Sequence, residues 1–443
     1  MGSVSSAVDQ TAVARVVGIK DIFVDLREGV ANLPQHIMVV GQGATASTYS
    51  TEPKRVFNAL EVAEEYGFGS PLHLAMLQIF PDNGLPGVGT IPVTVFPMDD
   101  NGSGIASDGD IAMTGTQTEN GTYAVVINGI RSQAFAIAEG TAASAVAALM
   151  VTAINAVLEM PVTVVDNLGV LEFTSKWKGE SANDIYVEVD GPDSGITFTV
   201  TQATGGAANP DVSLALAQAD PNVWYTLGVN CLNIADTTAL DEFETFGVGR
   251  TNPIDNKRMT FWTGNTIASV TAAYAVADAR KLDQINGQRV APGSPNLPLV
   301  VCARQVAVTA PIANNNPPVD YGSVQAAGLT PGPVTDQWTY NERDAAVKAG
   351  SSTIEVKDGA VFCSDTVTFY HKTGELNPPY RYLVDIVKIS NIIFNIGLAF
   401  KVPEWDGAPL IPDDQETENK AARKPKHAVA EMWAIIDSAA RKA

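Results

Sequence analysis

Cysteine, histidine and basic residues are all scarce in this 443-residue chain. The three cysteines, Cys231, Cys302 and Cys363, are odd in number and far apart. They form no CxxC metal motif and no disulfide framework, and each reads as a small buried hydrophobe. The four histidines, His36, His73, His371 and His427, have no second His or Cys at metal-ligand spacing. None belongs to a nucleophile motif, and a G-x-S-x-G elbow is missing. Lys and Arg total 28 against 49 Asp and Glu, a net charge of −21, which excludes a surface that wraps nucleic acid. Long apolar runs are lacking too. Leu383–Val402 is broken by Asp385, Lys388, Ser390, Asn391, Asn395 and Lys401, so no membrane insertion is expected. Met1–Asp9 is small and polar, without the basic start and apolar run of a signal peptide. The expectation is a protein made and kept in a cytoplasm.

What is present suits a large globular protein: 45% hydrophobic residues and length for two or three domains. Asp110–Ala203 organises the rest. Asn128-Gly129, between Tyr123–Ile127 and Ile130–Ile137, tolerates positive φ at both positions and predicts a hairpin. A helix follows, capped by Thr141, with Val146, Leu149, Met150, Ala153 and Val157 on one stripe. Strand patterns return at Val162–Val165 and Val170–Thr174, parted by Asn167-Leu168-Gly169, then at Ile185–Val189 and Ile196–Val200. Gly- and Ser-rich stretches punctuate both ends. These patterns predict a β-rich domain with one helix, inserted at 105–204.

The flanks alternate strand and helix, which predicts a mainly parallel sheet covered on both faces. Before the insertion come a strand at Ile37–Val40, a helix from a Thr51 cap to Tyr66, a second from Ser70-Pro71 to Phe80, and a strand at Ile91–Phe96. After it come strands at Trp224–Val229, Met259–Thr263 and Leu299–Val301. Between them lie a helix capped near Asp236 and stopping at Gly247, and an Ala-rich helix at Ile267–Leu282. Pro311–Gln337 reads as a long loop with five prolines, of the kind that sits at interfaces. The organisation expected is an arm at 1–27, a discontinuous core at 28–104 and 205–410, the insertion, and a linker with a basic helix at 411–443. In the arm, Ile22, Val24 and Leu26 alternate with polar or aromatic residues and have no immediate partner strand. Such a strand either pairs within its own core or adds to a neighbour's sheet edge.

Two stretches raise the question of chemistry. Gly41-Gln42-Gly43-Ala44-Thr45-Ala46 fits the loose G-x-G-x-x-A dinucleotide pattern, with Glu61 where a ribose-binding acid would stand. A helix that starts near Thr51 would miss the pyrophosphate, so a plain turn is expected and a nucleotide-binding enzyme is the alternative. Asp99, Asp100, Asn101, Asp108 and Asp110 crowd one segment, but no Glu closes a calcium loop. No catalytic residue, cofactor or metal is assigned. Charge is uneven: Lys420–Ala443 holds Lys420, Arg423, Lys424, Lys426, Arg441 and Lys442 against Glu431 and Asp437. Its helix, His427–Ala440, has Val429, Met432, Trp433 and Ile436 on one stripe. An acidic body with a basic tail predicts contact between like subunits, through Arg423, Lys424, Lys426, Met432, Trp433 and Ile436.

Four ordered stretches resemble one family. They are Phe68-Gly69-Ser70 with Leu72 and Met76, then Lys178-Gly179-Glu180-Ser181-Ala182-Asn183-Asp184-Ile185, then Asn341–Asp344 through Gly350–Thr353, and last Val367–Tyr370. Together they are similar to the tail sheath proteins of contractile-tailed bacteriophages, of the Mu-like branch, with Ala182, Asp344 and Ser351 as departures. The resemblance spans roughly residues 35 to 440. It implies a discontinuous subtilisin-like α/β core without protease residues, an outward-facing inserted domain, and six-fold rings stacked helically around a tail tube. It also implies terminal arms that add strands to neighbours, which places Ile19, Ile22, Val24 and Leu26 at a subunit interface. The partners implied are other copies of the chain, the tube protein, and the tail terminator and baseplate proteins. The setting implied is a virion tail assembled in a host cytoplasm. A headless tailocin or a secretion-type injector would use the same kind of subunit.

Overall fold

The computed structural model describes residues 32–252, 255–266, 270–280, 282–290, 294–370 and 380–442. The arm residues Ile19, Ile22, Val24 and Leu26 lie outside them, as does His371. Residues Asn32–Phe394 make one compact unit, and the described part of the other runs from Asn395 to Lys442.

Before the small sheets, the first unit contains β1 (His36–Gln42), β2 (Lys54–Val56), α1 (Ala59–Tyr66), α2 (Pro71–Ile79) and β3 (Val93–Met98). The segment between β3 and the next strand of the main sheet holds β4 (Ala106–Gly115), β5 (Gly121–Ile127), β6 (Ile130–Arg131), β7 (Phe135–Ile137), α3 (Val146–Asn155), β8 (Val162–Asn167), β9 (Val170–Lys178), β10 (Val187–Asp190) and β11 (Ile196–Thr204). Then follow α4 (Ser213–Leu216), β12 (Tyr225–Asn233), α5 (Thr237–Arg250), β13 (Thr260–Asn265), α6 (Val270–Arg280), β14 (Ile285–Arg289), α7 (Pro298–Asn315), α8 (Tyr340–Lys348), β15 (Ser351–Lys357), β16 (Ala360–Asp365) and α9 (Leu383–Ala399).

An eight-stranded sheet runs β16-β15-β14-β13-β12-β1-β3-β2. Its six inner strands are parallel, and β2 and β16 close the edges antiparallel. Period two sorts the strands into two cores. Ile37, Val39, Val93, Val95, Leu227, Val229 and Trp262 pack with Val62, Tyr66, Leu72, Met76, Val301 and Val306 of α1, α2 and α7. Met38, Val40, Phe96, Tyr225, Phe261 and Ile285 pack on the other face with Leu216, Leu240, Phe243 and Ala277 of α4, α5 and α6. Two four-stranded sheets are built wholly from residues 106–204, one ordered β10-β5-β6 with β7 also on β5, the other β11-β4-β9-β8. Their hairpins turn where the sequence says. Asn128 and Gly129 have φ of 51° and 78°, and Leu168 and Gly169 have 54° and 89°. Among the described residues the fold is thus a mixed α/β architecture of three sheets.

Caps read from sequence recur at Ser70, whose Oγ accepts from His73 N, with Pro71 behind it, and at Asp236, which accepts from Ala239 N. Other expectations change. Thr51 caps nothing helical; residues 54–56 form β2, and Asn58 caps a shorter α1. Thr141 makes no cap for α3, whose flanking residue Ala145 has no side-chain bond, and Leu149 points outward. The α5 helix passes Gly247 and ends at Arg250. Leu299–Val301 is not a strand but the start of α7, 18 residues long and buried on nearly all sides, so it shows no polar stripe to betray its period. Pro311 lies inside it, which shortens the expected long loop. The strand at that place in the sheet is β14, missed because Asn286, Gln288 and Arg289 are polar yet buried.

Candidate assembly surfaces

The Gly41–Ala46 turn has its glycines for packing. A Cβ on Gly43 would lie 2.2 Å from the Tyr49 ring, and one on Gly41 2.9 Å from Cys231. The Gly43 N–H donates to Tyr49 Oη (3.0 Å), whose hydroxyl donates to Met98 O (2.9 Å). The amide that would face a phosphate is therefore engaged, and no helix opens there. Glu61 sits in the first turn of α1, where its carboxylate accepts from Phe57 N (3.3 Å) and pairs with Lys54 (3.1 Å).

The buried histidines and thiols described here are held uncharged. His36 shares a 2.7 Å hydrogen bond with Thr94 Oγ1, and burial, helped by Arg55, lowers its pKa to about 4. His73 Nδ1 accepts from Gly69 N (2.9 Å), and burial, helped by Lys176, lowers it to about 4. Burial pushes the thiols of Cys231 and Cys363 up to about 12, and that of Cys302 higher still. At neutral pH the thiols are therefore protonated and the two imidazoles uncharged. Among the described residues no cluster of His, Cys, Asp or Glu is placed to hold a metal ion. No helix among them is long and apolar enough to cross a membrane.

Of the acids near residue 100, Asp100 has a structural role. Asp100 accepts from Gln42 Nε2 and Thr45 Oγ1, both at 2.5 Å, and so ties β3 to the turn after β1. This seam joins the small sheets to the main one, and sequence reasoning missed it. Gln42 Nε2 donates to Lys178 O (2.8 Å), and Thr45 N to Lys176 O (2.8 Å). Lys176 Nζ donates to Phe68 O (2.9 Å) and Leu158 O (3.1 Å). Asp184 accepts from Thr266 Oγ1 (2.8 Å) and from Asn233 Nδ2, at the ends of β13 and β12. Its burial raises the carboxyl pKa to about 6. Asp184 belongs to the Lys178–Ile185 stretch singled out in the sequence, so the motif marks the seam.

Sheet edges are treated unequally. Residues 323–326 bond along β16, through Ser323 N to Cys363 O and Ala326 N to Val361 O. At the other edge β2 is three residues long and carries Lys54 and Arg55, a guard against unplanned pairing.

In the unit from Asn395, α10 (Pro425–Lys442) places Val429, Met432, Trp433 and Ile436 on one stripe. Trp433 is 64% exposed and Val429 46%. Of the basic residues expected at this interface, two are already engaged. Lys424 Nζ donates to Gln415 O (2.5 Å) and Asp413 O (3.4 Å), and the Arg423 guanidinium lies 5.8 Å from the Trp405 ring centroid. The Lys426 N–H donates to the Asp413 carboxylate (3.0 Å).

No family model matches this sequence. Among curated proteins the chain is 25% identical over 362 residues to the Mu-like prophage FluMu tail sheath protein of Haemophilus influenzae, covering 80% of this chain and 72% of that one. Among solved structures it is similar to the sheath tail protein of Listeria innocua, at TM-score 0.46 and 12% identity over 93% of this chain and 86% of that one. It is also similar to the sheath tail protein of Desulfitobacterium hafniense (0.43, 10%, 87% and 82%) and to the contracted helical sheath of the anti-feeding prophage (0.43, 9%, 95% and 84%).

Proposed function

We propose that this chain is the structural subunit of a contractile phage tail sheath, which polymerises around a tail tube and contracts to drive that tube through a host envelope. One observation carries the reading: the similarity to a Mu-like prophage tail sheath protein runs through 362 residues, most of both chains. The residue pattern agrees, since the dinucleotide-like turn is closed by Tyr49 and the buried histidines and thiols are neutral. In this reading the core, from 28–104 and 205–410, is subtilisin-like, and 105–204 is an outward-facing inserted domain. The arm at 1–27 adds Ile19, Ile22, Val24 and Leu26 to a neighbour's sheet. Backbone pairing through a flexible linker lets subunits rotate during contraction without separating. The extended state is a kinetic trap, released once.

The partners are other copies in stacked rings, the tube protein, and the terminator and baseplate proteins. The place is a virion tail assembled in a host cytoplasm. The C-terminal segment meets a neighbouring copy through Met432, Trp433 and Ile436, with Arg423, Lys424 and Lys426 setting encounter and register. A tailocin or secretion-type injector would need the same subunit; the phage tail is preferred because the aligned relative is a prophage protein. Electron microscopy of the purified full chain tests the reading. Striated tubes are expected, and a protein that stays monomeric at all concentrations and salts would sink it.

A further inference from the structure

Asn-Gly pairs stand at Asn83, Asn101, Asn120, Asn128 and Asn286. In such a pair the glycine nitrogen can attack the preceding side-chain amide, because no side chain of its own blocks the approach. The attack needs the Asn Cγ and the next backbone nitrogen in near-attack geometry. A pair locked in a strand or a bonded turn reaches that geometry only by opening locally.

Four of the pairs are held. Asn286 is fully buried in β14, between β13 and β15. Asn128 is buried too; its Oδ1 accepts from Tyr186 N (2.9 Å) and its N–H donates to Tyr186 O (2.9 Å). Asn120 Oδ1 accepts from Glu139 N (2.9 Å), and Gly121 opens β5 opposite Ile137. Asn101 is half-buried, and its Nδ2 donates to Asn209 O (3.0 Å) while Oδ1 accepts from Ser103 N (3.0 Å) and Ser103 Oγ (2.9 Å).

Asn83-Gly84 is built differently. It lies at the tip of the loop after α2, where Asp82, Asn83 and Gly84 are all exposed. The loop is closed at its base by Val88 N donating to Ile79 O (3.2 Å), which leaves the tip outside any strand or helix. A Cβ on Gly84 would meet nothing within 4 Å, so the approach to its nitrogen is open. Among the described residues the Asn83 side chain has one hydrogen bond, from Leu85 N to Oδ1 (3.3 Å). That bond draws electron density from Cγ and leaves the departing Nδ2 unrestrained.

We propose that Asn83 is the site at which the folded chain deamidates. Gly84 N attacks Asn83 Cγ, forming a succinimide ring, and the Cγ–Nδ2 bond breaks. The proton from Gly84 N leaves with Nδ2 as ammonia. Water then opens the ring. Cleavage of the new N–Cγ bond gives aspartate; cleavage of the original peptide N–C bond gives isoaspartate, whose backbone is longer by one methylene. Either product replaces a neutral side chain with a carboxylate. Isoaspartate also displaces Leu85, which packs closely on Gly328: a Cβ there would lie 2.5 Å from Leu85 Cδ1. The modification therefore reaches the contact between this loop and the proline-rich one.

Peptide mapping of the aged full chain tests it. Protein kept in mildly alkaline buffer, with and without urea, is digested, and each Asn-Gly peptide is read by mass spectrometry for conversion of amide to acid. An isoaspartate-specific methyltransferase reads the rearranged product. In the folded chain Asn83 should convert at least about tenfold faster than the other four, which must first open. In urea the five should convert at rates within about threefold of one another, because the fold no longer separates them. Asn83→Gln should remove most of the folded-state signal, and Gly84→Ala should slow it severalfold. Folded-state conversion at Asn101 or Asn120 as fast as at Asn83 would overturn the proposal. So would an Asn83 that stays intact while the pairs in urea convert. A lead for Asn83 of the same size in urea would assign it to local sequence and refute the structural cause.

Discussion

Two groups of charged side chains live under opposite conditions here. At the seam around residues 176–184, Lys176 and Asp184 are withdrawn from water, and protein dipoles hold them: Phe68 and Leu158 carbonyls for the lysine, Asn233 and Thr266 side chains for the acid. Burial lowers the pKa of Lys176 and raises that of Asp184. On α10, Lys426 and the apolar Trp433 remain exposed. Where a charge is desolvated, its partners must be in place before folding is complete, and geometry becomes specific. Where it stays solvated, it is free to act on another molecule but contributes little to the fold. The seam should therefore respond to mutation in stability, and the helix in assembly.

The largest effect is expected at Gly69. Its φ is +78°, and a Cβ there would lie 2.1 Å from Met160 O, a backbone atom of the facing segment. Gly69→Ala combines left-handed strain with an overpacked seam, together about 3 kcal/mol or more. Urea unfolding should show a midpoint shift of that size. A loss under about 1 kcal/mol would mean the seam yields easily and the contrast is false.

Asp184 comes next, and pH reveals it. Its folded pKa of about 6 exceeds the ordinary 3.8, so between those values the folded state binds more protons than the unfolded one. Stability from this group is therefore full below about 3.8 and falls as pH rises through 6, by at most about 3 kcal/mol. His36 and His73, lowered to about 4 from 6.5, act oppositely: they favour folding above 6.5 and lose that contribution as pH falls toward 4. Only a difference isolates the carboxylate. Asp184→Asn should match the parent near pH 4 and be the more stable protein near pH 7.5. Equal denaturation midpoints for both at both pH values would refute a strained carboxylate.

What the sequence discloses follows the same division. Hairpins at Asn128-Gly129 and Leu168-Gly169, and caps at Ser70 and Asp236, are legible because a few adjacent residues determine them. The α10 stripe is legible because one face is polar. The α7 helix and β14 are not, since both are buried and carry polar residues inward, so their patterns have no solvent side. The seam was visible only as the Lys178–Ile185 motif; that Asp184 meets Asn233 and Thr266 depends on chain closure across the whole sheet. Engagement of Arg423 and Lys424 within their own unit was likewise invisible, because backbone carbonyls and a ring face leave no sequence pattern.

Trp433 tests the other half of the contrast. At 64% exposure it has little to lose on substitution, so Trp433→Ser should leave unfolding within about 0.5 kcal/mol of the parent. Burial of the ring against another copy is worth roughly 2–3 kcal/mol, so the concentration needed for assembly should rise by more than tenfold. Sedimentation of the full chain measures it. A destabilised but normally assembling variant would place the ring in its own fold instead.

The smallest effect concerns the basic residues. Reversal of Arg423, Lys424 and Lys426 to Glu inverts a solvated patch, yet exposed ion pairs are worth only about 0–1 kcal/mol each. Lys424 is also held by the Asp413 and Gln415 carbonyls, and Arg423 by Trp405, so part of their charge is already committed. In the proposed assembly their remaining influence is expected on encounter, because the chain carries −21 overall and a basic patch would steer like copies together tail to body. Steering fails when salt near 1 M shortens the Debye length to about 3 Å. Assembly of the parent should therefore slow as salt rises, whereas tubes already formed, held by apolar burial and backbone pairing, should persist. The triple variant should begin slow and show a flatter salt dependence. Light scattering at low and high salt reads both quantities. Identical kinetics for parent and variant at both salts would leave the charges as plain solvation and assign contact between copies to the apolar stripe alone.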